Sequence, residues 1–309
     1  MTIHLRPRQK CPLCGTSEHT VYIDFPEISV VKCNGCGFLY SSRVMPDETL
    51  HRYYTDGFGS CRHLRGQMVT ARCNVWATEK LLGGLLDSVR NVLDVGTGYG
   101  FFLKEIRDRF SVKTMGVEIS RQEADYARRA LSLDVKTALL SDSNIEKGKF
   151  DLVTAFEVIE HTQDPRAFIR ELIEYAKPGG YCLIMTDNFE SRVAVSLGPG
   201  FPKWIPHSHI SHFCPGSLER LVSEEDMAIV GRLSYTPWEL LLRSWYYRII
   251  GIKRMPSESF DLSKTLENEM RGKFKLFQIR RIFNAIWARL QARADLDEAV
   301  MYVLTRRPF

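Results

Sequence analysis

The feature that most restricts the fold of this chain is a short apolar run that ends in a cluster of glycines. Residues 91–95 read NVLDV, the next five read GTGYG, and FFLKEI follows with apolar side chains at helical spacing. This order predicts a strand, a tight turn and a helix, as at the ligand-binding edge of an α/β sheet. Glycines let the backbone approach a ligand closely, and the helix start offers it unpaired amides.

Two acidic residues narrow the class of ligand. Asp94 lies inside the apolar run, where it would repel a pyrophosphate but suits a cationic amino acid group. Glu118 follows a second predicted strand, residues 114–117, and comes about twenty residues after the glycine turn, where a carboxylate can accept both hydroxyls of a ribose. The pair favours a positively charged nucleoside over a dinucleotide.

Over residues 91–235 the chain resembles the class I S-adenosylmethionine-dependent methyltransferases. Four segments carry the resemblance, in that family's order and spacing: VLDVGTGYG, GVEIS, FDLVTAFEVIEHTQDP and KPGGYCLIMT. The resemblance implies an α/β, Rossmann-like fold with a seven-stranded sheet, and S-adenosyl-L-methionine as cofactor. Further strands are expected at residues 150–156, 181–186, 228–231 and 299–305.

The resemblance also implies which residues line the cofactor. Residues 139–142 should cover the adenine, although the family's usual Gly-Asp pair is absent there. The full set of expected cofactor contacts is Asp94, Gly96, Thr97, Gly98, Tyr99, Glu118, Ile119, Leu139 and Phe156.

Two close cysteine pairs near the N-terminus indicate a metal site. Cys11 and Cys14 form the first pair, Cys33 and Cys36 form the second, and a glycine follows each pair. A CxxC turn aims backbone amides at its sulfurs, and four thiolates complete a tetrahedral zinc site with no open position. The pattern predicts a zinc ribbon with its linker over residues 1–60, whose ion folds the module and takes no part in chemistry.

A long polar segment, residues 188–215, is expected to be irregular and to hold the acceptor substrate. It resembles the HEHISYF stretch of zinc-ribbon nucleotide-sugar carbon methyltransferases, and by that resemblance His209 is the proton acceptor and His207 its neighbour. Ser208 replaces the glutamate of that stretch, and Pro206 stands where a tyrosine is expected. A hydroxyl acceptor is therefore favoured over a carbon beside a carbonyl.

Further side chains complete the predicted acceptor site. His161 follows the strand at residues 150–156 and either takes part in catalysis or holds its loop. The side chains expected to contact the substrate are Tyr53, Tyr54, Trp204 and His212.

A metal site on the histidines of residues 207–212 is disfavoured from the sequence. No carboxylate joins them at ligand spacing. Methyl transfer from a sulfonium also needs no Lewis acid.

The C-terminal part carries the basicity of the chain. Residues 237–309 hold fourteen Lys/Arg against eight Asp/Glu, within a formal net charge of +5 for the whole. Residues 236–297 are predicted to form a helical insertion, and residues 61–235 with 298–309 form the methyltransferase core. The insertion would serve as a lid, a homo-oligomer contact or a surface patch, and its apolar residues are expected to pack internally rather than on a membrane.

The leading hypothesis is an enzyme that methylates a hydroxyl, or a carbon, of a sugar, nucleotide-sugar or similar polar metabolite. No secretory signal and no apolar run of about 20 residues stands in the sequence, so a cytoplasmic location is expected. Two alternatives stay open, a zinc-ribbon RNA methyltransferase and a cofactor-binding protein without turnover. RNA is disfavoured because the ribbon lacks a dense Lys/Arg run with interleaved aromatics.

Overall fold

The computed structural model describes residues 5–57, 61–250 and 274–309. Its N-terminal part contains five short strands followed by two helices. The strands are β1 (Arg6–Pro7), β2 (His19–Ile23), β3 (Val30–Cys33), β4 (Leu39–Ser41) and β5 (Arg43–Val44), and the helices are α1 (Asp47–Gly57) and α2 (Cys61–Leu82). β2, β3 and β4 pair antiparallel in that order, and β1 pairs with β5.

The main sheet has seven strands. They are β6 (Asn91–Val95), β7 (Lys113–Glu118), β8 (Val135–Thr137), β9 (Phe150–Phe156), β10 (Ala176–Asp187), β12 (Ala228–Tyr235) and β13 (Val300–Arg306), while β11 (Ser211–His212) lies elsewhere. The spatial order is β12-β13-β10-β9-β6-β7-β8. β13 runs antiparallel to both of its neighbours, and the five strands from β10 to β8 are parallel. The predicted Rossmann-like fold with a seven-stranded sheet is confirmed.

Helices cover both faces of this sheet, which is why its central strands are apolar on both sides. α2, α3 (Phe101–Phe110) and α4 (Arg121–Leu131) pack on one face, and α5 (Pro165–Tyr175) and α7 (Pro215–Ser223) pack on the other. α6 (Arg192–Leu197) and α8 (Trp238–Ile250) pack on each other, and α9 (Phe274–Gln291) packs on α2. Local sequence fixes where they start. The side chain of Ser120 accepts a hydrogen bond from the amide of Glu123 at the start of α4, and Asp164 caps α5 in the same way.

The segment after β10 is more regular than the sequence suggested. Residues 188–215 were expected to be irregular, but they contain α6 and β11. Ser191 caps α6, and Val193 and Leu197 bury its apolar face. The expectation was wrong because it gave the glycines and prolines of this segment more weight than its helix cap and the four-residue spacing of its apolar side chains.

β11 joins the N-terminal sheet to the segment that follows β10. Its Ser211 lies opposite Tyr40 and its His212 opposite Leu39, in antiparallel register. The amide of Ser41 donates to the carbonyl of Ile210 over 3.1 Å. β2, β3 and β4 therefore form one four-stranded sheet with β11 of the histidine-containing segment.

The described part of the expected helical insertion consists of α8 and α9, and residues 251–273 lie outside the described residues. The ring of Trp238 packs on Phe283. However, Trp245, Ile249 and Leu290 are more than half exposed, so the expected internal packing holds for only part of the apolar face. None of the described helices combines the length and the apolar character that crossing a bilayer requires.

Candidate active site

The turn between β6 and α3 requires glycine at several positions. Gly96, Gly98 and Gly100 have φ angles of 72°, 57° and 81°. A Cβ atom on Gly96 would lie 2.4 Å from the side chain of Val158, and one on Gly98 would lie 2.3 Å from that of Gln67. Any larger residue would thus be strained, and it would also displace the neighbouring side chain.

The carboxylate of Glu118 fastens this turn to the end of β7. Its Oε2 accepts from the amide of Gly98 over 2.7 Å, and its Oε1 accepts from the amide of Ser120 over 2.8 Å. The side chain of Gln67 accepts from the amide of Tyr99 over 2.8 Å. No sequence motif identifies Gln67, because it lies on α2, well before the glycine turn.

Asp94 and Thr97 carry polar atoms that fit a cationic, hydrogen-bonding ligand. Asp94 is buried, and Thr154 donates to it over 2.6 Å. Burial raises the pKa of Asp94 to about 7. The hydroxyl of Thr97 is buried with no hydrogen-bond partner among the described residues. A ligand with a positive charge and a polar group would satisfy both.

The other predicted cofactor contacts lie around the same edge with different exposures. Tyr99 is buried against Tyr126, with ring centroids 5.2 Å apart. Ile119 and Leu139 follow the carboxyl ends of β7 and β8, and Leu139 is 46% exposed. Phe156 packs on Phe102 at 4.7 Å, so its ring belongs mainly to the interior.

A group of charged side chains follows β9 and β10. Glu157 has a left-handed φ of 55°. The ammonium of Lys203 lies 2.5 Å from a carboxylate oxygen of Glu157 and 3.1 Å from one of Asp187. Against the opposing effect of burial, these two carboxylates raise the pKa of Lys203. The sequence motifs did not point to this group, because the pairing of β9 with β10 brings Glu157 close to Asp187 and the segment after β10 adds Lys203.

Glu160 is the most deeply buried carboxyl group of this edge. It is 0% exposed, and Thr186 donates to its Oε2 over 2.9 Å. Its Oε1 has no partner among the described residues. Burial, with Asp187 and Glu157 close by, raises the pKa of Glu160 to about 8. The carboxyl group is therefore largely protonated near neutral pH.

His161 and His209 meet at the same place. Their ring centroids are 4.8 Å apart with an interplanar angle of 80°. The hydroxyl of Tyr54 and the carbonyl of Ser208 each lie 2.9 Å from Nδ1 of His161. Burial lowers the pKa of His209 well below its usual value, so its imidazole is neutral near pH 7.

The structure brings some of the predicted substrate contacts together and separates others. The ring of Tyr53 lies 5.1 Å from that of Tyr54 and 6.4 Å from that of His207. His212, by contrast, is 1% exposed, and burial lowers its pKa to about 3. It packs with Trp204 and Phe189, so its role in substrate contact stays a prediction without support from this geometry.

The four cysteines of the N-terminal module face one another. The sulfurs of Cys11 and Cys36 are 3.6 Å apart, those of Cys14 and Cys33 are 3.4 Å apart, and all four lie within 4.8 Å of one another. A tetrahedral zinc ion with Zn–S bonds of about 2.3 Å spaces its sulfurs by about 3.8 Å. The donor set therefore fits one zinc ion.

Comparison with known proteins matches the part of the chain that forms most of the main sheet to a protein family. Residues 72–230 match the family model described as "Methyltransferase domain". The chain is 31% identical over 173 residues to the ubiquinone biosynthesis O-methyltransferase of Alkalilimnicola ehrlichii, with 50% of this chain and 68% of that protein covered. It is 34% identical over 107 residues to the chloroplastic tocopherol O-methyltransferase of Arabidopsis thaliana, which covers 32% of this chain and 30% of that protein.

A solved structure shows the same fold. A Thermotoga maritima protein, described as an S-adenosylmethionine-dependent methyltransferase and possible histamine N-methyltransferase, superimposes with a TM-score of 0.51. The match covers 80% of this chain and 95% of that one, at 15% identity. The four cysteines lie outside the residues that the family model matches.

Substitution of Gly98 tests the turn directly. We expect Gly98→Val to weaken binding of S-adenosylhomocysteine by at least about a hundredfold, because the side chain would require a disfavoured φ and would displace the end of the Gln67 side chain that holds the amide of Tyr99. Calorimetric titration measures the change. Gly148→Val is the matched control, since Gly148 also has a positive φ, 70°, but open space around it. Wild-type affinity in Gly98→Val would contradict the assigned turn.

Cofactor affinity should depend on pH through Asp94. Below its pKa of about 7 the carboxyl group is protonated and no longer attracts a cation. The dissociation constant of S-adenosylmethionine should therefore rise roughly tenfold between pH 7.5 and pH 6. Calorimetry of Asp94→Asn at both pH values provides the control, because this variant should bind weakly with little pH dependence. An equally steep dependence in the variant would assign the effect to another group.

Proposed function

The chain belongs to the methyltransferase-domain family and is an S-adenosylmethionine-dependent methyltransferase, and from this premise we propose that it methylates a hydroxyl group of a sugar, a nucleotide sugar or a similar small polar metabolite. Bound S-adenosylmethionine supplies an electrophilic methyl group on a positively charged sulfur. Among the residues of this chain, the carboxylate of Glu118 is proposed to hold the ribose hydroxyls. Asp94, Thr97 and the amides of the glycine turn would hold the amino acid part.

The pairing of His161 with His209 is the observation that carries the acceptor proposal. Both imidazoles lie near the carboxyl end of β9, the edge of the sheet where ligands bind in open α/β folds. A general base must be unprotonated before the reaction, and burial keeps His209 neutral at pH 7. We assign His209 as the proton acceptor, and His161 as its neighbour that is fixed by contacts with Tyr54 and Ser208.

The proton balance of hydroxyl methylation suits such a buried imidazole. Methylation of a hydroxyl group would make the proton on its oxygen strongly acidic. His209 would accept that proton, and even a weakly basic imidazole is sufficient for this step. A hydroxyl acceptor is further supported by the two relatives above, whose names describe O-methyltransferases.

Aromatic and polar side chains beside the histidines support a polar acceptor. Tyr53 and Tyr54 lie on α1, and Tyr53 reaches His207. Their rings offer flat apolar faces, while the hydroxyl and imidazole groups offer hydrogen bonds, a combination that suits a sugar. Tyr54 is also tied to His161, which links α1 to the proposed base.

We further propose that Cys11, Cys14, Cys33 and Cys36 hold one structural zinc ion. The short sulfur–sulfur distances and the closed four-thiolate set support this assignment. Because no ligand position would stay open, the ion would stabilise the N-terminal strands without taking part in methyl transfer.

His209→Ala should lower turnover by at least about a hundredfold and leave cofactor affinity nearly unchanged, as expected for the loss of a general base. Turnover is measured as the transfer of a tritiated methyl group to a panel of sugars, nucleotide sugars and RNA. His51→Ala, which removes an exposed imidazole on α1, is the control. A wild-type rate in His209→Ala would remove His209 from the mechanism, and transfer to RNA alone would replace the proposed substrate class.

Zinc loss should destabilise the protein. We expect one zinc ion per chain by elemental analysis, and we expect Cys33→Ser to lose that ion and to lower Tm by at least about 5 °C. Cys214→Ser is a matched control, because Cys214 lies outside the cluster. Zinc-free protein with an unchanged Tm would contradict a structural role for the ion.

A further inference from the structure

A second group of potential metal ligands lies within the proposed acceptor site. One oxygen of Glu160 and one nitrogen each of His161 and His209 all lie within 4.8 Å of one another. Glu160 and His161 belong to the turn Ile159–His161 after β9, and His209 comes from the segment before β11. The carboxylate that the sequence lacked beside its histidines is thus supplied by a distant part of the chain.

Two of these three groups have buried atoms that no protein group satisfies. Oε1 of Glu160 and Nδ1 of His209 have no hydrogen-bond partner among the described residues. Glu160 is 0% exposed and His209 is 7% exposed. A buried polar atom without a partner is energetically unfavourable. An ion that contacted both atoms would satisfy their lone pairs.

The backbone holds these groups in place. The amide of Ile210 donates to the carbonyl of Glu160 over 2.9 Å, which fixes the residue next to His209 against the turn that carries the other two groups. Thr186 holds the second oxygen of Glu160. Ligand atoms around a zinc ion at bond lengths of about 2.1 Å are spaced by about 3.4 Å, so small side-chain movements would close the site.

Chemistry and charge favour a divalent transition metal. Two imidazoles and one carboxylate suit zinc, cobalt or nickel, whereas magnesium and calcium prefer oxygen ligands. Glu157 and Asp187 lie near Glu160 and share one half-buried cation, Lys203. The two carboxylates therefore outnumber the lysine that pairs with them, and a further cation would be stabilised.

We infer that Glu160, His161 and His209 bind a divalent transition-metal ion, and that this ion inhibits methyl transfer because it occupies the lone pair with which His209 would accept the proton. The inference of inhibition rests on the proposed function of His209. The binding of the ion does not, since it depends only on the three ligand groups.

Cobalt titration of the full-length, zinc-loaded protein tests the binding. We expect one Co²⁺ ion per chain to enter this site and to give the visible absorption of nitrogen and oxygen ligation, without the near-ultraviolet thiolate band of a four-cysteine site. Glu160→Gln and His161→Asn should each weaken this binding at least about tenfold. His51→Asn, which removes an exposed histidine, should leave it unchanged. Two ligand variants are needed because Glu160 is fully buried.

The activity of the same proteins tests the inhibition. Added Zn²⁺ or Co²⁺ should lower the wild-type rate. For each ligand variant, the metal concentration that halves its own rate should rise at least about tenfold, whatever its rate without metal. If no ion binds beyond the cysteine cluster, or if the ion activates the enzyme, the inference is wrong. A His209→Ala variant with wild-type turnover would instead refute the proposed base, independently of whether the metal binds.

Discussion

The parallel pairing of β6 between β7 and β9 is the constraint on which the site depends. Val95 lies opposite Val117 on one side and Ala155 on the other, so the three strands end at one level. The glycine turn, Glu118 and the turn that carries Glu160 and His161 therefore meet at a single edge, although they lie far apart in the sequence. The hydrogen bonds from Gly98 and Ser120 to Glu118 then fix the cofactor side of that edge.

The acceptor side depends on the N-terminal strands. β11 pairs with β4, and the hydroxyl of Ser41 donates to the carbonyl of Pro206 over 2.7 Å. The backbone of Ile210 is hydrogen-bonded to the backbone of both Ser41 and Glu160. The segment that carries His209 is thus held between the N-terminal sheet and the edge of the main sheet. The cysteine-containing module, which the sequence suggested only as a folding unit, also positions the proposed base.

Sequence reasoning anticipated the local geometry where the residues concerned lie close together in the sequence. The glycine turn, Asp94 and the four cysteines belong to short motifs whose geometry is set by glycine φ angles and by CxxC turns. Gln67 and Lys203 were missed because α2 and the segment after β10 bring them to the site through tertiary packing. The view that no carboxylate joins the histidines considered sequence neighbours only, whereas the backbone hydrogen bond from Ile210 to Glu160 brings a distant carboxyl group beside His209.

Other differences between the expected and the observed structure arise where local sequence signals favour different conformations. The cap at Ser191 and the buried side chains of α6 outweighed a composition that favoured a loop. On α8 and α9 the apolar spacing predicted helices correctly but not their burial, because periodicity does not reveal what covers a face.

The most direct measurement is a crystal structure of the protein with S-adenosylhomocysteine. The ribose hydroxyls should donate to the carboxylate of Glu118, and the ligand should contact the backbone of the turn around Gly98, with its sulfur on the side of His161 and His209. Failure of the nucleoside to bind, or its binding away from the carboxyl ends of β6 and β7, would contradict the central claim, and so would a dinucleotide bound at that edge in its place.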